Sequence, residues 1–504
     1  MSPWRLAGDE LAALGDRTAL EGQGARVTYA ELAARAAAVW KALRRAGVLP
    51  GGLAALVSSG RSHEEAIGLA GILTSGAVAV PLDATAPPHR LAAILAARGC
   101  SAIVLDEKAR PLVDAIDVEL DRMLPGARGS SARVVLDVSG VVISASGNID
   151  PDDMERSRRA LGPVGSLASV LHTSGSTGLP KPVPITWAGL DAFTGWAIEQ
   201  FSIAPSDRVL RVAELIFDLA WFDHLATLRA GATLVTMSRR ELAAGTATLA
   251  ALRSLAPTII YGVPSLFMKL SAALPDGALV VPAPRAVLYA GEVFPPRELR
   301  AFAERVPEAS IWNLYGPTET NVCTFHPIDR AALDGERETP IGSACPYARC
   351  SLISEDGGLI IEGPGTGELV VEGPTTVGGG PFATRDRVER GTDGLFYFRG
   401  RIDRMIKIRG YRVEPGEVEA VLGAHPAVRQ AAVVVHDDAR IGKTLRAFME
   451  IRPDTAPPAE RDFRIFLAER LPSYMVPERV IGLPELPRTP TGKIDYQALV
   501  IRPA

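Results

Sequence analysis

The chain has 504 residues, of which 47% are hydrophobic and 22% charged, with a formal net charge of −4 at pH 7. This is the composition of an ordinary globular protein with ample core material, long enough for two or three domains. The mild acidity argues against nucleic acid or an anionic membrane surface as the main partner. There is no 18-residue apolar run to span a membrane, and the N-terminal segment lacks the features of a signal peptide.

Along the first 330 residues, short apolar strands alternate with helices. Thr28 and Glu31 in TYAE have the spacing of a helix capping box, and apolar residues follow them at helical spacing. Strands are predicted at LAALV (53–57), GAVAVPL (76–82), SAIVL (101–105), ATLVTM (232–237), TIIYGV (258–263) and AVLYAG (286–291). Alternation of this kind favours parallel sheets covered by helices.

The pattern changes after about residue 335. The segment 351–373 alternates apolar residues between Gly-rich turns, which is typical of β-hairpins. Beyond GRID (400–403), EVEAVLGAHPAV and RDFRIFLAERL have helical spacing, whereas AAVVVHD and LRAFMEI resemble strands. The predicted fold class is therefore α/β, with a large N-terminal domain of helix-covered β-sheets plus a β-rich subdomain (1–402) and a small α+β C-terminal domain (403–504).

The stretch LHTSGSTGLPKPVPIT (171–186) places small hydroxyls and glycines in front of Lys181. Glycines let the backbone turn sharply, and successive main-chain N–H groups in such a turn form an anion nest. A lysine after the turn adds a charge suited to phosphate. The pattern predicts a phosphate-holding loop, although it is not a Walker A motif, and a plain Ser/Gly linker is the alternative.

The cysteines and lysines are distributed unevenly. Cys100, Cys323, Cys345 and Cys350 form no CxxC pair, and the seven histidines give no metal-site spacing. We therefore expect reduced thiols and a cytoplasmic protein. Only seven of the 54 Lys and Arg residues are lysines.

Six stretches, taken together, carry a family resemblance. They are VPLDATAPPHR (80–90), TSGSTGLPK (173–181), NLYGPTET (313–320), GELVVEG (367–373), YFRGRIDRMIKIRGYRVEPGEVE (397–419) and PRTPTGKID (487–495). In motif and order the sequence resembles the adenylate-forming enzymes, most closely the amino-acid adenylation domains of nonribosomal peptide synthesis. The resemblance implies ATP and Mg²⁺ as cofactors, an active site between the two domains, and a mobile small domain that turns about a hinge at Asp403.

The resemblance also assigns roles to individual residues. Lys493 is expected to bridge the substrate carboxylate and the α-phosphate in the transition state, and Glu319 to bind Mg²⁺; these two are the catalytic candidates. Because the attacking carboxylate and the α-phosphate are both anions, charge neutralisation and alignment should supply most of the catalysis. The expected ATP-binding residues are Thr173, Ser174, Gly175, Ser176, Thr177, Gly178, Lys181, Gly291, Glu292, Asn313, Tyr315, Gly316, Thr318, Asp386 and Arg401.

The segment LIFDLAWFDHL (215–225) bears on the substrate. Asp218 matches the family aspartate that pairs with the α-ammonium group of an amino acid; a helix cap is the alternative role, and Asp223 is a rival carboxylate. The other expected substrate-binding residues are Leu219, Phe222, Tyr261, Leu288, Ala290, Leu314, Val322, Cys323 and Lys493. Since Phe222, Tyr261 and Leu288 should fill much of this apolar pocket, a small α-amino acid is predicted, with alanine first and glycine or serine behind.

No carrier domain follows Asp495 in this sequence, so a freestanding enzyme is expected. It should load the phosphopantetheine arm of a separate carrier protein, with no nucleic-acid or membrane partner. The alternatives are a D-alanine–carrier protein ligase, a β-amino acid adenylating enzyme and an acyl-CoA synthetase, the last disfavoured by Asp218. Pro182, His172 and Arg385 depart from the family pattern and leave a degenerate nucleotide-binding protein as a further alternative.

Overall fold

A computed structural model describes residues 8–123, 133–146, 166–173, 180–333, 337–408, 410–438, 442–452, 455, 458–488 and 494–501. Its helices are α1 (Gly8–Ala13), α2 (Tyr29–Arg45), α3 (His63–Ser75), α4 (Pro88–Arg98), α5 (Val113–Met123), α6 (Trp187–Gln200), α7 (Thr227–Arg229), α8 (Arg239–Ala243), α9 (Gly245–Leu255), α10 (Pro264–Ala273), α11 (Pro296–Arg305), α12 (Pro415–Gly423), α13 (Glu460–Ala468) and α14 (Tyr496–Val500). Within the described ranges, no helix combines the length and the apolar character needed to cross a membrane.

Two large sheets form the N-terminal part. Their strands are β1 (Thr18–Gly22), β2 (Ala25–Thr28), β3 (Leu53–Ser58), β4 (Val78–Asp83), β5 (Ala102–Leu105), β6 (Arg133–Asp137), β7 (Val142–Ser146), β8 (Leu167–Thr173), β9 (Lys181–Thr186), β10 (Arg208–Arg211), β11 (Thr233–Thr236), β12 (Ile259–Gly262), β13 (Ala286–Tyr289), β14 (Ser310–Tyr315), β15 (Thr324–Pro327) and β16 (Ser343–Ala344). One sheet has the order β7-β6-β5-β3-β4-β8-β9, and the other has the order β16-β15-β14-β13-β12-β10-β11-β1-β2.

The interior strands of both sheets are parallel, and antiparallel strands close their edges. This agrees with the strand–helix alternation in the sequence, and each of the six strands named there is confirmed. The predicted capping box is also present, since Thr28 and Glu31 bond each other's backbone N–H at the start of α2. The largest apolar core joins the two sheets, with Leu56 and Leu171 from one and Leu234 and Leu288 from the other.

The remaining strands form three smaller sheets. They are β17 (Arg349–Ile353), β18 (Leu359–Ile360), β19 (Gly365–Glu372), β20 (Phe382–Arg390), β21 (Phe396–Arg401), β22 (Ile406–Ile408), β23 (Tyr411–Val413), β24 (Val428–Asp438), β25 (Gly442–Ile451) and β26 (Arg479–Leu483). Strands β17–β21 form an antiparallel five-stranded sheet, β22 and β23 pair as a hairpin, and β24–β26 form the sheet of the small C-terminal unit. That unit has its own core, in which Val418, Phe463 and Met475 are buried.

The fold brings several strand ends to one place. Strands β12, β13 and β14 run parallel and in register, with Tyr261 opposite Leu288 and Tyr289 opposite Asn313. In open α/β sheets, ligands bind beyond the carboxyl ends of such strands. The residues that follow these strands therefore mark the expected position of a site.

Candidate active site

A cleft of about 1590 Å³ lies between the carboxyl ends of these strands and the small C-terminal unit. Its volume exceeds the roughly 300–1,000 Å³ of a typical small-molecule pocket, so a nucleotide and a second substrate fit together. The cleft gathers most of the described residues predicted for the site: Asp218, Leu219, Tyr261, Ala290, Gly291, Glu292, Asn313, Leu314, Tyr315, Gly316, Thr318, Val322, Asp386, Arg401 and Asp403.

Asp218 is the buried carboxylate of the cleft wall, with 9% of its surface exposed. Burial raises its pKa to about 6, although the Lys407 ammonium and hydrogen bonds from the backbone N–H groups of Asp218 and Leu219 lower it. Ionising a carboxyl group in such surroundings is costly unless a cation faces it. Asp218 is therefore placed to bind a positively charged group.

The wall around Asp218 is mostly apolar, but fewer of the predicted residues line it than expected. Leu219, Tyr261, Ala290, Leu314 and Val322 line the cleft. Phe222, Leu288 and Cys323 have no exposed surface and do not line it in the described part of the chain. Phe222 packs edge-on behind Tyr261, at 5.2 Å between ring centroids, and Leu288 precedes Ala290 by two positions, deeper along the same strand. Five of the eight residues predicted for the wall in addition to Asp218 and Lys493 therefore line the cleft in the described structure.

Asp386 and Arg401 form a charged pair on the opposite wall. Asp386 is 4% exposed and accepts hydrogen bonds from the Tyr315 hydroxyl and, at 2.5 Å, from Arg401. Arg401 also donates to both oxygens of Asp403, at 2.8 and 2.7 Å. Burial lowers the pKa of the Arg401 guanidinium, but Asp403 and Asp386 together raise it above its usual range. The predicted hinge residue Asp403 is thus tied to Arg401 and, through it, to Asp386, two of the predicted ATP-binding residues.

A tight loop after β14 presents Glu319. Gly316 is required there, because a Cβ atom on it would lie 1.6 Å from the Asn321 carbonyl oxygen. Asn321 itself has a left-handed backbone with φ of 52°, and its side chain accepts from the Val322 N–H at 2.6 Å. Glu319 is 2% exposed, so its carboxylate needs a cation beside it.

In this structure the cation is an arginine from the small unit. Nη1 of Arg412 donates to both carboxylate oxygens of Glu319, at 2.9 and 2.8 Å. Glu319 itself does not line the cleft in the described structure, whereas its neighbour Thr318 and its partner Arg412 do. A buried carboxylate that accepts such a cation beside the cleft also suits Mg²⁺, which binds few protein carboxylates together with substrate phosphates. Among the described residues there is no cluster of three or more His, Cys, Asp or Glu able to hold a metal.

The rest of the β22–β23 hairpin also enters the cleft. The Gly410 N–H donates to Glu292 at 2.6 Å. Tyr411 stacks on Tyr474 of the small unit at 4.0 Å and meets Phe217 of the large one edge-on at 5.1 Å. Lys407 is partly buried, and the loss of hydration lowers its pKa, while Asp386 and Asp218 act in the opposite direction.

Comparison with known proteins assigns the chain to a family. The model of the AMP-binding enzymes matches residues 9–379, and the model of the AMP-binding enzyme C-terminal domain matches residues 417–493. The chain belongs to the AMP-binding enzymes. As the sequence analysis predicted, it is an adenylate-forming ligase, and enzymes of this kind use ATP.

Two curated relatives of this AMP-binding enzyme are L-proline–[L-prolyl-carrier protein] ligases. The one from Streptomyces coelicolor is 34% identical over 98% of this chain and 95% of its own length. The one from Pseudomonas fluorescens is 35% identical over 85% of this chain and 84% of its own length. Among solved structures, the amide bond synthetase McbA from Marinactinospora thermotolerans shares the fold, with a TM-score of 0.79, 24% identity and 98% of each chain covered.

Six residues of the predicted site belong to segments outside the described ranges. Ser174, Gly175, Ser176, Thr177, Gly178 and Lys493 lie outside the described residues. The ends of that phosphate loop are described: Thr173 ends β8 and pairs in register with Lys181 at the start of β9. Their neighbours His172 and Pro180 line the cleft, so both ends of the loop reach it.

The sequence analysis did not assign roles to Lys407, Gly410 or Arg412. A signal for Lys407 was present, because lysine is scarce in this chain and Lys407 lies within a matched motif. The contacts of Arg412 with Glu319 and of Gly410 with Glu292 join residues 93 and 118 positions apart. No local pattern reports such distant pairs.

Proposed function

We propose that this enzyme activates L-proline as prolyl-AMP and transfers the prolyl group to the phosphopantetheine thiol of a carrier protein. The observation that carries the proposal is the buried Asp218 carboxylate, which shares the cleft wall with the predicted residues Leu219, Tyr261, Ala290, Leu314 and Val322. A secondary ammonium group supplies two N–H donors to such a carboxylate, and a charge-assisted contact of this kind contributes about 1.5–3 kcal/mol. Both curated relatives described above are named for proline.

The set of residues that line the cleft in the described structure favours proline over the predicted alanine. The prediction of alanine assumed that Phe222, Tyr261 and Leu288 fill the pocket, but only Tyr261 lines the cleft. Of the five residues that do line it, four are aliphatic, and Tyr261 brings one hydroxyl group but no charge. A compact hydrocarbon ring suits this surface, and both carrier protein ligases described above are named for proline and not for alanine, glycine or serine.

For the first half-reaction we propose that Glu319 holds Mg²⁺, Asp386 the ribose hydroxyls, and the loop from Thr173 to Lys181 the departing pyrophosphate. The metal would supply positive charge to the phosphate oxygens. The proline carboxylate oxygen attacks the α-phosphorus, the bond to the β-phosphate oxygen breaks, and pyrophosphate leaves. Lys493 is proposed to neutralise the two anions as they meet.

We assign the arrangement with the β22–β23 hairpin in the cleft to the second half-reaction. There the carrier thiolate attacks the prolyl carbonyl carbon, the bond to the phosphate oxygen breaks, and AMP leaves with one more negative charge. Arg412 and Lys407 bring cations to the phosphate side of the cleft, as this step needs. Rotation of a small domain about a hinge is a known switching mode, and Asp403 is the proposed hinge.

An ATP–pyrophosphate exchange panel over the common amino acids, with D-proline and β-amino acids added, tests the substrate. L-Proline should give the highest kcat/KM, and the enzyme should then load a carrier protein in its phosphopantetheine form. If another amino acid is activated well and proline is not, the substrate assignment is refuted.

A proline analogue without the amine isolates the role of Asp218. Cyclopentanecarboxylic acid has the ring and the carboxylate but no ammonium group, so the wild type should activate it at least about tenfold less well than proline. Asp218→Ala should lose proline activity and gain relative activity toward the analogue. An unchanged preference in this variant would show that Asp218 does not bind the amine and would favour an acyl-CoA synthetase.

A further inference from the structure

A second buried carboxylate lies directly behind the Asp218 wall. Asp223 has no exposed surface and belongs to a π-helical turn at Phe222–Ala226. It does not line the cleft in the described structure, so it is not the rival ligand of the ammonium group that the sequence left open. Short π-helical turns are frequent at functional sites, where they redirect a side chain.

The Asp223 carboxylate is directed at the segment that leads to Asp218. Its Oδ2 accepts the backbone N–H of Val212 at 3.2 Å and that of Ala213 at 3.3 Å, immediately after β10. From the other side, Nη2 of Arg61 donates to the Val212 carbonyl at 2.8 Å. The peptide at the exit of β10 is therefore held by Asp223, which lies behind the cleft wall, and by Arg61, which lines the cleft.

The held segment is continuous with the cleft wall. Val212, Ala213, Glu214, Ile216, Phe217, Asp218 and Leu219 line the cleft one after another. Glu214 pairs with Arg61 at 3.4 Å and with Arg239 at 3.0 Å, and its carbonyl accepts the Phe217 N–H at 3.0 Å. Because these contacts hold the turn between Val212 and Asp218, a displacement of the Val212 backbone would also displace Asp218.

We propose that Asp223 is a positioning residue for amino-acid binding, which fixes the Val212–Asp218 segment so that the Asp218 carboxylate faces the substrate. This inference rests on the proposed amino-acid substrate. Burial raises the pKa of Asp223 to about 7, although the backbone N–H groups of Ala213 and Val212 and the Arg211 and Arg61 guanidiniums lower it. Arg211 is itself fully buried and paired with Glu65 at 2.7 Å. Without an acceptor at position 223, the buried Val212 N–H and the partly buried Ala213 N–H would lose their partner, and the segment would have to move to recover one.

The test compares Asp223→Ala with Asp223→Asn. The amide oxygen of Asn still accepts the two N–H groups, whereas Ala accepts neither. We expect Asp223→Ala to raise KM for the amino acid at least tenfold in pyrophosphate exchange, with KM for ATP changed less than twofold, and Asp223→Asn to keep KM for the amino acid within threefold. A merely structural role would lower the melting temperature of both variants without this split between the two KM values.

Asp207 gives a matched control at the opposite end of β10. It is also buried, at 4% exposure, and accepts a backbone N–H, that of Ala204 at 2.9 Å, but it does not line the cleft in the described structure. Asp207→Ala should lower the melting temperature and leave KM for the amino acid unchanged. An equal rise in KM in the Asp207 and Asp223 variants would overturn the proposal.

If Asp223→Ala does not fold, Arg61→Met tests the same peptide from its carbonyl side, and an unchanged KM for the amino acid there would refute the positioning role. All variants are assayed with the amino acid that the wild type activates best. Activation of an amino acid other than proline would therefore refute the proposed substrate while leaving the comparison of the variants valid. Loss of ATP affinity equal to the loss of amino-acid affinity would count against Asp223.

Discussion

Arg412 is the residue whose removal should separate the two half-reactions. In the described arrangement it is the partner of Glu319, with side-chain exposures of 21% for the arginine and 3% for the glutamate. Arg412→Ala removes the cation and leaves the glutamate carboxylate buried. The change acts only on the arrangement in which the hairpin occupies the cleft.

The expected size of the effect follows from this burial. Removing one partner of a buried ion pair costs about 3–5 kcal/mol, because the remaining charge has no compensation. Because Arg412 is partly exposed, we take the lower end of this range, so the loss of Arg412 should cost about 3 kcal/mol. Since every 1.4 kcal/mol is about a factor of ten, the hairpin-in-cleft arrangement should become on the order of 100-fold less favourable.

The assay measures the two half-reactions separately. Pyrophosphate exchange should fall less than about threefold in Arg412→Ala, whereas single-turnover transfer of the aminoacyl group to the carrier thiol should fall by up to about 100-fold. Arg412→Lys should recover part of the transfer rate, since it restores the charge without the planar guanidinium group.

Arg429→Ala is the matched control for this prediction. Arg429 pairs at 2.7 Å with Glu450, which is 3% exposed, in the same small unit. It does not line the cleft in the described structure, so its loss should lower stability without separating the half-reactions. Equal transfer rates for Arg412→Ala and the wild type, or an equal loss in both half-reactions, would refute the reasoning.

Three further predictions concern the cleft. With the Asp218 pKa at about 6, kcat/KM for the amino acid should fall about tenfold per pH unit below that value, as the carboxylate is protonated and loses the ammonium group; Asp218→Asn should remove this dependence. Gly316→Ala should abolish pyrophosphate exchange, because the added Cβ would lie 1.6 Å from a backbone oxygen. Arg385 has a φ of 61°, so Arg385→Gly should stabilise the protein by about 0.5–1 kcal/mol in denaturant unfolding; destabilisation would contradict this strain argument.

The sequence predicted the elements well because their signals are local. Strand–helix alternation, Gly-rich hairpins and the Thr28 cap each depend on neighbouring residues, and all are present in the structure. The gathering of Asp218, Glu292 and Asp386 in one cleft was also expected, from the order of the family motifs. The sequence did not predict contacts between residues that are far apart along the chain, since nothing near Arg412 in the sequence points to Glu319.

The substrate shows most clearly why residue types alone do not determine a pocket. The residues predicted for the wall are mostly apolar, but the space that they leave for a substrate depends on which of their side chains reach the cleft. Two of the three large residues expected to fill it, Phe222 and Leu288, are in the core behind Tyr261 and Ala290. A ring substrate then gains contacts that a methyl side chain cannot make, and each methylene contributes about 1–3 kcal/mol of discrimination. Since proline carries two more side-chain carbons than alanine, a pocket that the ring fills should prefer proline by on the order of 100-fold or more in kcat/KM.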